Sequence, residues 1–247
     1  MHPSIKITFI GGLVALIFLI GFFAGNIPLF SSSLSPLNTQ PIEGRVITNK
    51  IVAVDDAGKG VVAELTTIIR DGSGLVLVNI NDVLADLNAQ YSARTATKVA
   101  SDYTKRNLDT VDVIFTINTH SPVGIVGGQS AGSTMALSLI AGLLNKTIRS
   151  DVIMTGSILE NGTIGEAGAL QEKAKAARDN NATLFLIPAG SGKVIKGYAK
   201  NKECETRSGY EYCTLQYIAR NVDIGDVAGL DVKEVADIAE AVTYYLT

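Results

Sequence analysis

The sequence contains few of the residues that bind metals or nucleic acids. Only two histidines and two cysteines occur in 247 residues, and no group of His, Cys and carboxylate side chains has the spacing of a metal site. The formal net charge is -3, and no cluster of Lys and Arg matches what contacts to phosphates require. We therefore expect no metal site and no nucleic-acid partner.

The signature of nucleotide-binding loops is missing as well. No GxxxxGK[ST] sequence occurs, so we expect neither an ATPase module nor a cofactor in this chain. Charged residues make up only 18% of the chain and apolar residues 47%. This balance is typical of a protein with a large hydrophobic core and not of a disordered chain.

An uncharged stretch near the amino terminus predicts a membrane segment. Residues 7–25 contain no charged side chain and one polar one, Thr8, and about 20 apolar residues suffice to span a bilayer as a helix. A cleaved signal peptide is the alternative, although its apolar region is usually shorter, about 7 to 15 residues. We predict that residues 1–25 form a retained signal anchor.

The charges beside this segment predict its orientation. Lys6 and the terminal amine are the cations on its short side, which the positive-inside rule keeps in the cytoplasm. Residues 26–44 are rich in Ser, Pro and Asn and read as a tether. The domain that follows, residues 45–247, is then expected outside the cytoplasm, as part of a single-pass protein of the cell membrane.

Two cysteines agree with an oxidising compartment. Cys204 and Cys213 lie in a stretch rich in Gly and Tyr, which suits a hairpin closed by a disulfide. Two unpaired thiols are the alternative.

The periodicity of apolar residues predicts a chain that alternates between strands and helices. Asp71-Gly72-Ser73-Gly74 is expected to close one hairpin and Asn161-Gly162 another. Strands are expected at 45–55, 61–80, 111–117 and 183–188, and helices at 82–107, 131–144, 166–180 and 231–246.

A Ser/His/Asp triad has little support. His120 is the only histidine beyond the membrane segment, and no nearby carboxylate could orient its ring. We expect it to be a surface loop residue.

Ser130 admits two interpretations. It follows Gly127-Gly128-Gln129 and precedes an apolar helix, and a serine in that position is most often a helix N-cap. The glycines also allow close approach of a substrate, and the first N–H groups of a helix point to where an oxyanion would form. The site therefore also suits a nucleophile in acyl transfer.

A serine nucleophile would need a lysine base that is neutral, and hence buried. Neighbours on a helix lie three and four residues apart. For Lys173 these are Ala169, Leu170, Ala176 and Ala177, whereas for Lys175 they are Gln171, Glu172, Arg178 and Asp179. Lys173 is thus the candidate whose pKa should fall. The alternative is a lysine whose amine reaches water past the apolar face.

Residues 127–188 resemble the proteolytic domain of Lon proteases, and the resemblance extends more loosely from about Arg45 to the final helix. The resemblance rests on an ordered set of motifs, Gln-Ser-Ala-Gly, Met-Thr-Gly, a Gly-rich hairpin, Gly-Ala-Leu-Gln-Glu-Lys and a strand ending in Ile-Pro. It implies the α+β fold of that domain, with mixed sheets and packed helices, and an oligomer that is often a hexamer.

The resemblance also implies roles for single residues. Ser130 matches the catalytic serine, Lys173 the catalytic lysine, and Thr155 the threonine that orients the lysine amine. The backbone N–H groups of Ser130 and Ala131 are candidates for holding the oxyanion. The sequence departs from the family at Gly127-Gly128-Gln129, where Asp-Gly-Pro is usual, and at Ser157, where an acid is common.

We therefore expect a membrane-anchored serine peptidase with a Ser130/Lys173 dyad. It would hydrolyse unfolded or flexible polypeptides without using ATP itself. The alternative is an inactive Lon-like domain that binds peptides or serves as a scaffold at the cell envelope.

Overall fold

The computed structural model describes residues 44–80, 87–119 and 129–247. The predicted membrane segment at 7–25, His120, Gly127 and Gly128 lie outside the described residues. Within the described ranges, no helix combines the length and the hydropathy that a bilayer crossing requires.

The described chain alternates between strands and helices, as the periodicity predicts. The strands are β1 (Arg45–Val54), β2 (Gly60–Asp71), β3 (Val76–Ile80), β4 (Val111–Thr119), β5 (Val152–Met154), β6 (Ser157–Ile158), β7 (Ile164–Gly165), β8 (Leu184–Pro188), β9 (Lys193–Arg207), β10 (Tyr210–Asp223) and β11 (Asp231–Val235). The helices are α1 (Leu87–Thr104), α2 (Gly132–Leu144), α3 (Leu170–Asp179), α4 (Ile224–Ala228) and α5 (Ile238–Tyr245), and a 3₁₀ turn at Gln129–Ala131 precedes α2.

The first sheet has the order β1-β2-β4-β3. Strand β4 pairs antiparallel with β2 and parallel with β3. The predicted hairpin at Asp71-Gly72-Ser73-Gly74 is therefore wrong, because β4 lies between its two strands. The buried carboxylate of Asp112 at the start of β4 explains this, since it accepts the N–H groups of Ser73 and Leu75 at 2.8 and 3.0 Å. These bonds hold the turn around the end of β4.

Helices α1 and α2 cover this sheet. Every residue of α2 from Gly132 to Leu143 is buried, which agrees with a sequence that is apolar on nearly all sides. Its polar side chains bond within the core. Ser138, for example, donates from Oγ to Thr67 Oγ1 at 2.8 Å, which satisfies both hydroxyl groups away from water.

The second sheet has the order β11-β8-β5 and is parallel. Strand β5 joins the two parts of the core, because Ile153 packs in one hydrophobic cluster while Val152 and Met154 pack in the other. The β6–β7 hairpin follows β5 and has Asn161-Gly162 in its connection, as predicted.

Two predicted helices begin later than expected. Residues 231–235 form β11, which pairs with β8, and the helix starts only at Ile238. A capping box sets this start, because the Asp237 side chain accepts the N–H of Glu240 while the Glu240 side chain accepts the N–H of Ala236, both at 2.9 Å. Helix α3 begins at Leu170 and not at Glu166, since the Glu166 carbonyl accepts the N–H of Ser157 and extends the preceding hairpin.

Strands β9 and β10 form a long antiparallel hairpin whose residues 201–218 are exposed. Cys204 and Cys213 face each other across it and form a disulfide. The bond expected from the sequence is thus present. Because an isolated two-stranded hairpin is only marginally stable, the disulfide supports the part of it that extends into solvent.

Candidate active site

Ser130 lies in the 3₁₀ turn directly before α2. The N-cap of α2 is Ala131, with φ -88° and ψ -9°, and no side chain caps this end of the helix. Ser130 is therefore not the N-cap of α2. Its Oγ lies 2.8 Å from Nζ of Lys173 instead, so the structure brings together two of the predicted site residues that are 43 positions apart in the chain.

A close backbone contact places the 3₁₀ turn. A Cβ atom on Gly132 would lie 3.0 Å from Cγ2 and 3.3 Å from the backbone nitrogen of Ile158, closer than ordinary van der Waals contact. Glycine at this position lets the turn lie directly against β6, next to the Met-Thr-Gly segment that precedes it. In the Ser-Ala-Gly motif, Gly132 is thus required for packing, whereas Ser130 is the candidate for the chemistry.

Lys173 projects from the first turns of α3 into the core. The whole residue is only 4% exposed. Its helical neighbours Ala176 and Ala177 are buried, whereas Lys175, two residues on, is half-buried. The first sheet packs directly on this helix, because a Cβ atom on Gly60 would overlap the backbone carbonyl of Glu172.

Burial changes the acid–base chemistry of this amine. Desolvation lowers the pKa of Lys173 from 10.5 to about 8, because a buried site disfavours the charged form. This result follows from the apolar surroundings that the helical spacing predicts. A pKa near 8 brings the amine into the range in which a general base can work near neutral pH.

Thr155 lies next to both groups. Lys173 Nζ donates to Thr155 Oγ1 at 3.2 Å, and the Thr155 hydroxyl in turn donates to the carbonyl of Ser130 at 3.3 Å. The N–H of Gly156 donates to the same carbonyl at 2.8 Å. A neutral amine has two N–H donors and one lone pair. When one N–H is engaged by Thr155, the lone pair is left for the Ser130 hydroxyl.

Two further hydroxyl groups support Thr155, and reasoning from the sequence missed them. Ser133 donates from both Oγ and its backbone N–H to the carbonyl of Gly156, at 2.8 and 3.1 Å. Thr134 donates from Oγ1 to the carbonyl of Met154 at 3.0 Å. The backbone is therefore held on both sides of Thr155. The adjacent hydroxyls of Ser133 and Thr134 in a mostly apolar helix were the available signal, since buried hydroxyls need a hydrogen-bond partner.

The expected oxyanion donors lie where a helix dipole would assist them. The backbone N–H groups of Ser130 and Ala131 belong to the turn at the amino-terminal end of α2, where positive partial charge accumulates. The N–H of Ser133 is engaged by Gly156, so it is not a candidate. The assignment to Ser130 and Ala131 stays a prediction.

The sequence profile of the Lon protease (S16) C-terminal proteolytic domain matches residues 50–235. This chain belongs to that family. The matched range includes Ser130, Thr155 and Lys173, so the three side chains that meet in space all lie within the Lon proteolytic domain.

Curated relatives match parts of this domain. Lon protease 1 of Syntrophobacter fumaroxidans is 33% identical over 143 residues, which cover 56% of this chain and 17% of the relative. Lon protease of Phenylobacterium zucineum is 26% identical over 211 residues, covering 78% and 25%. Lon protease homolog 1, mitochondrial, of Arabidopsis thaliana is 29% identical over 141 residues, covering 55% and 15%. The matched part of this chain thus spans a quarter or less of each of these relatives.

Proposed function

We propose that this Lon proteolytic domain is a serine endopeptidase with Ser130 as the nucleophile and Lys173 as the general base. The observation that carries the proposal is the 2.8 Å contact between a buried lysine Nζ and a serine Oγ at the start of a helix. The names of the curated relatives, all Lon proteases, support the same class of activity.

The lowered pKa makes Lys173 a usable base. At pH 7 an amine with a pKa of about 8 is neutral in about one molecule in ten, against about one in three thousand for the ordinary value of 10.5. Burial therefore raises the fraction of base that is ready to react by about 300-fold at pH 7. Lys175 is not buried to a comparable degree, so Lys175→Met is a matched control for Lys173→Met.

The proposed reaction has two halves. Neutral Lys173 accepts the Ser130 hydroxyl proton as Oγ bonds to the substrate carbonyl carbon, and the resulting ammonium gives that proton to the leaving amine when the C–N bond breaks. Water then gives a proton to Lys173 as its oxygen attacks the acyl-enzyme, and the Lys173 ammonium returns that proton to Ser130 Oγ when the ester C–O bond breaks, which releases the acid and regenerates the neutral amine. Thr155 fixes the direction of the amine throughout. The N–H groups of Ser130 and Ala131 would stabilise the oxyanion in both halves.

The substrates we propose are unfolded or flexible polypeptides. Hydrolysis by this chain would not consume ATP, because the sequence contains no GxxxxGK[ST] motif. Residues 1–25 would anchor the chain in the cell membrane, residues 26–44 would tether it, and the domain at 45–247 would lie outside the cytoplasm. The Cys204–Cys213 disulfide supports an oxidising compartment. Association into a homo-oligomer such as a hexamer is part of the proposal.

Cleavage of fluorescein-labelled casein by the purified chain tests the activity, with and without ATP. Ser130→Ala and Lys173→Met should each abolish ATP-independent cleavage, whereas Lys175→Met, a matched change on the same helix, should leave it intact. Retained cleavage in Lys173→Met would rule out the proposed base. A wild-type chain that neither cleaves casein nor reacts with a fluorophosphonate at Ser130 would favour the inactive peptide-binding alternative.

A further inference from the structure

A pocket lies beside the nucleophile, between the first two turns of α1 and the 3₁₀ turn. It has a volume of about 580 Å³ and is lined by Leu87, Asn88, Gln90, Tyr91, Arg94 and Gln129. We call it the α1 pocket. Gln129 directly precedes Ser130, so the Cα atoms of these two residues are about 3.8 Å apart. An extended substrate advances about 3.3 Å per residue. Substrate side chains a few residues from the scissile bond are therefore within reach of the pocket.

Contacts between α1 and the 3₁₀ turn hold the two walls of the α1 pocket together. Ser92 donates from Oγ to the carbonyl of Gln129 at 3.5 Å, and Gln129 Nε2 donates to Asn88 Oδ1 at 3.4 Å. A Cβ atom on Gly132 would lie 3.5 Å from Cβ of Ser92, so α1 packs directly on the segment that contains the nucleophile. The pocket is thus continuous with the candidate active site.

The α1 wall of the pocket is an exposed apolar surface that ends at a cation. Leu87, Tyr91 and Arg94 follow one another at positions i, i+4 and i+7, so they lie on one face of the helix. Leu87 is 82% exposed and Tyr91 54%. Arg94 is exposed as well, and within the described ranges its guanidinium forms no ion pair and no hydrogen bond. All three side chains are therefore accessible to a ligand from the same side.

The two segments that form the α1 pocket contain no carboxylate. Helix α1 has no Asp or Glu between Leu87 and Ser101, and the chain has none between Val113 and Ser150. Asp86, which precedes α1, lies outside the described residues. Among the lining residues Arg94 is the one with a charge. A guanidinium has five N–H donors in a planar arrangement that matches a carboxylate, so the chemistry of this pocket favours an acidic group.

We propose that the α1 pocket binds an acidic side chain of the polypeptide substrate, together with an apolar side chain next to it. The substrate carboxylate would accept hydrogen bonds from Arg94, and the apolar side chain would cover Leu87 and Tyr91. A lysine or arginine of the substrate would instead meet a like charge. The inference rests on the proposed peptidase function and names Arg94 as the residue that selects the substrate.

Cleavage of three internally quenched peptides tests the proposal. They share the sequence Gly-Ser-Leu-Ala-Glu-Leu-Ala-Ser-Gly and differ only at the central residue, which is Glu, Gln or Lys. The wild-type kcat/KM should be about three- to fivefold higher for Glu than for Gln and about tenfold higher than for Lys, as expected of a charge pair at an exposed site. Arg94→Gln should make the three values nearly equal, and Arg94→Glu should favour Lys. Lys98→Gln, one turn further along α1, should keep the wild-type order, because Lys98 is already paired with Asp102 at 2.9 Å.

Ratios between peptides, measured on one variant at a time, separate selectivity from a loss of folded protein. A wild-type chain that cleaves the Glu and Lys peptides equally would overturn the proposed pocket and leave the peptidase function standing. A preference for Glu that persists in Arg94→Gln would do the same.

Binding without cleavage separates the pocket from the peptidase function. Fluorescein-labelled copies of the three peptides should bind to the Ser130→Ala chain in the same order of affinity, as measured by fluorescence anisotropy. This order in a protein whose wild-type form cleaves no peptide would support the pocket and refute the peptidase. Equal affinities for the three peptides would overturn the pocket.

Discussion

Removing the Thr155 hydroxyl should move the pH profile of hydrolysis toward acid and lower its plateau. Thr155 accepts a hydrogen bond from Lys173 Nζ at 3.2 Å and donates one to the Ser130 carbonyl at 3.3 Å. The bond from an ammonium is stronger than the bond from a neutral amine. Thr155→Val, which keeps the shape, therefore destabilises the charged form more than the neutral form, and the pKa of Lys173 should fall.

The magnitude follows from the two charge states. Hydrogen bonds that involve a charged group contribute about 1.5 to 3 kcal/mol and neutral ones about 0.5 to 1.5 kcal/mol. At these long distances the difference should be near the lower end, about 1 kcal/mol, which displaces the midpoint by about 0.7 pH unit. The amine also loses its orientation, so the rate at alkaline pH should fall by about 10- to 100-fold.

The assay is kcat/KM for an internally quenched peptide between pH 6 and pH 10. The wild-type rate should rise with one ionisation near pH 8, the value to which burial lowers the pKa of Lys173. The Thr155→Val profile should have the same shape, a more acidic midpoint and a lower plateau. Thr155→Ser, which keeps the hydroxyl, should restore most of both. A lower plateau with an unchanged midpoint would refute the proposed contact between Thr155 and the base.

Three further predictions concern Lys173 and the groups that position it. Because its pKa is lowered from 10.5 to about 8, the buried ammonium destabilises the fold below pH 8 by about 3 kcal/mol. Stability should rise between pH 8 and pH 10.5, and Lys173→Met should raise the melting temperature at pH 7 but not above pH 10.5, as calorimetry can show. Ser133→Ala removes a 2.8 Å bond to the Gly156 carbonyl and should lower kcat more than it raises KM, by about tenfold, whereas Ser133→Thr should recover part of the loss. The Cβ atom of Gly60→Ala would overlap the Glu172 carbonyl, so this substitution should displace α3 and lower both the melting temperature and kcat. An unchanged kcat would argue that the packing of β2 on α3 does not position Lys173.

The predicted helix starts show where local sequence signals compete. Residues 231–246 have helical spacing, yet 231–235 pair with β8 as a strand. The Asp237 and Glu240 capping box was visible in the sequence and marks the correct start. The open edge of β8 was not visible there, because an edge exists only once the parallel sheet has formed. Pairing with that edge decided the conformation of the first residues.

The order of strands shows a similar limit. A Gly-rich turn between two apolar runs predicts a hairpin, but β4 enters between β2 and β3. The buried Asp112 carboxylate, 37 residues from Leu75 along the chain, holds the turn in this arrangement. Turn residues indicate only the local conformation of the chain. They do not indicate which distant strand forms the backbone hydrogen bonds with the strands on either side of the turn.

The sequence alone determined which lysine would be buried in the core. Helical spacing surrounds Lys173 with alanine and leucine, and it surrounds Lys175 with polar groups. The sequence also determined the apolar character of α2 and the ordered motifs around Ser130, since these depend on neighbours within a few positions. Only the tertiary structure decided the 2.8 Å distance between Lys173 and Ser130 and the support of Thr155 by hydroxyls of α2. Both result from packing between segments that are distant in the chain, where a shift of one ångström breaks the contact while leaving every local pattern unchanged.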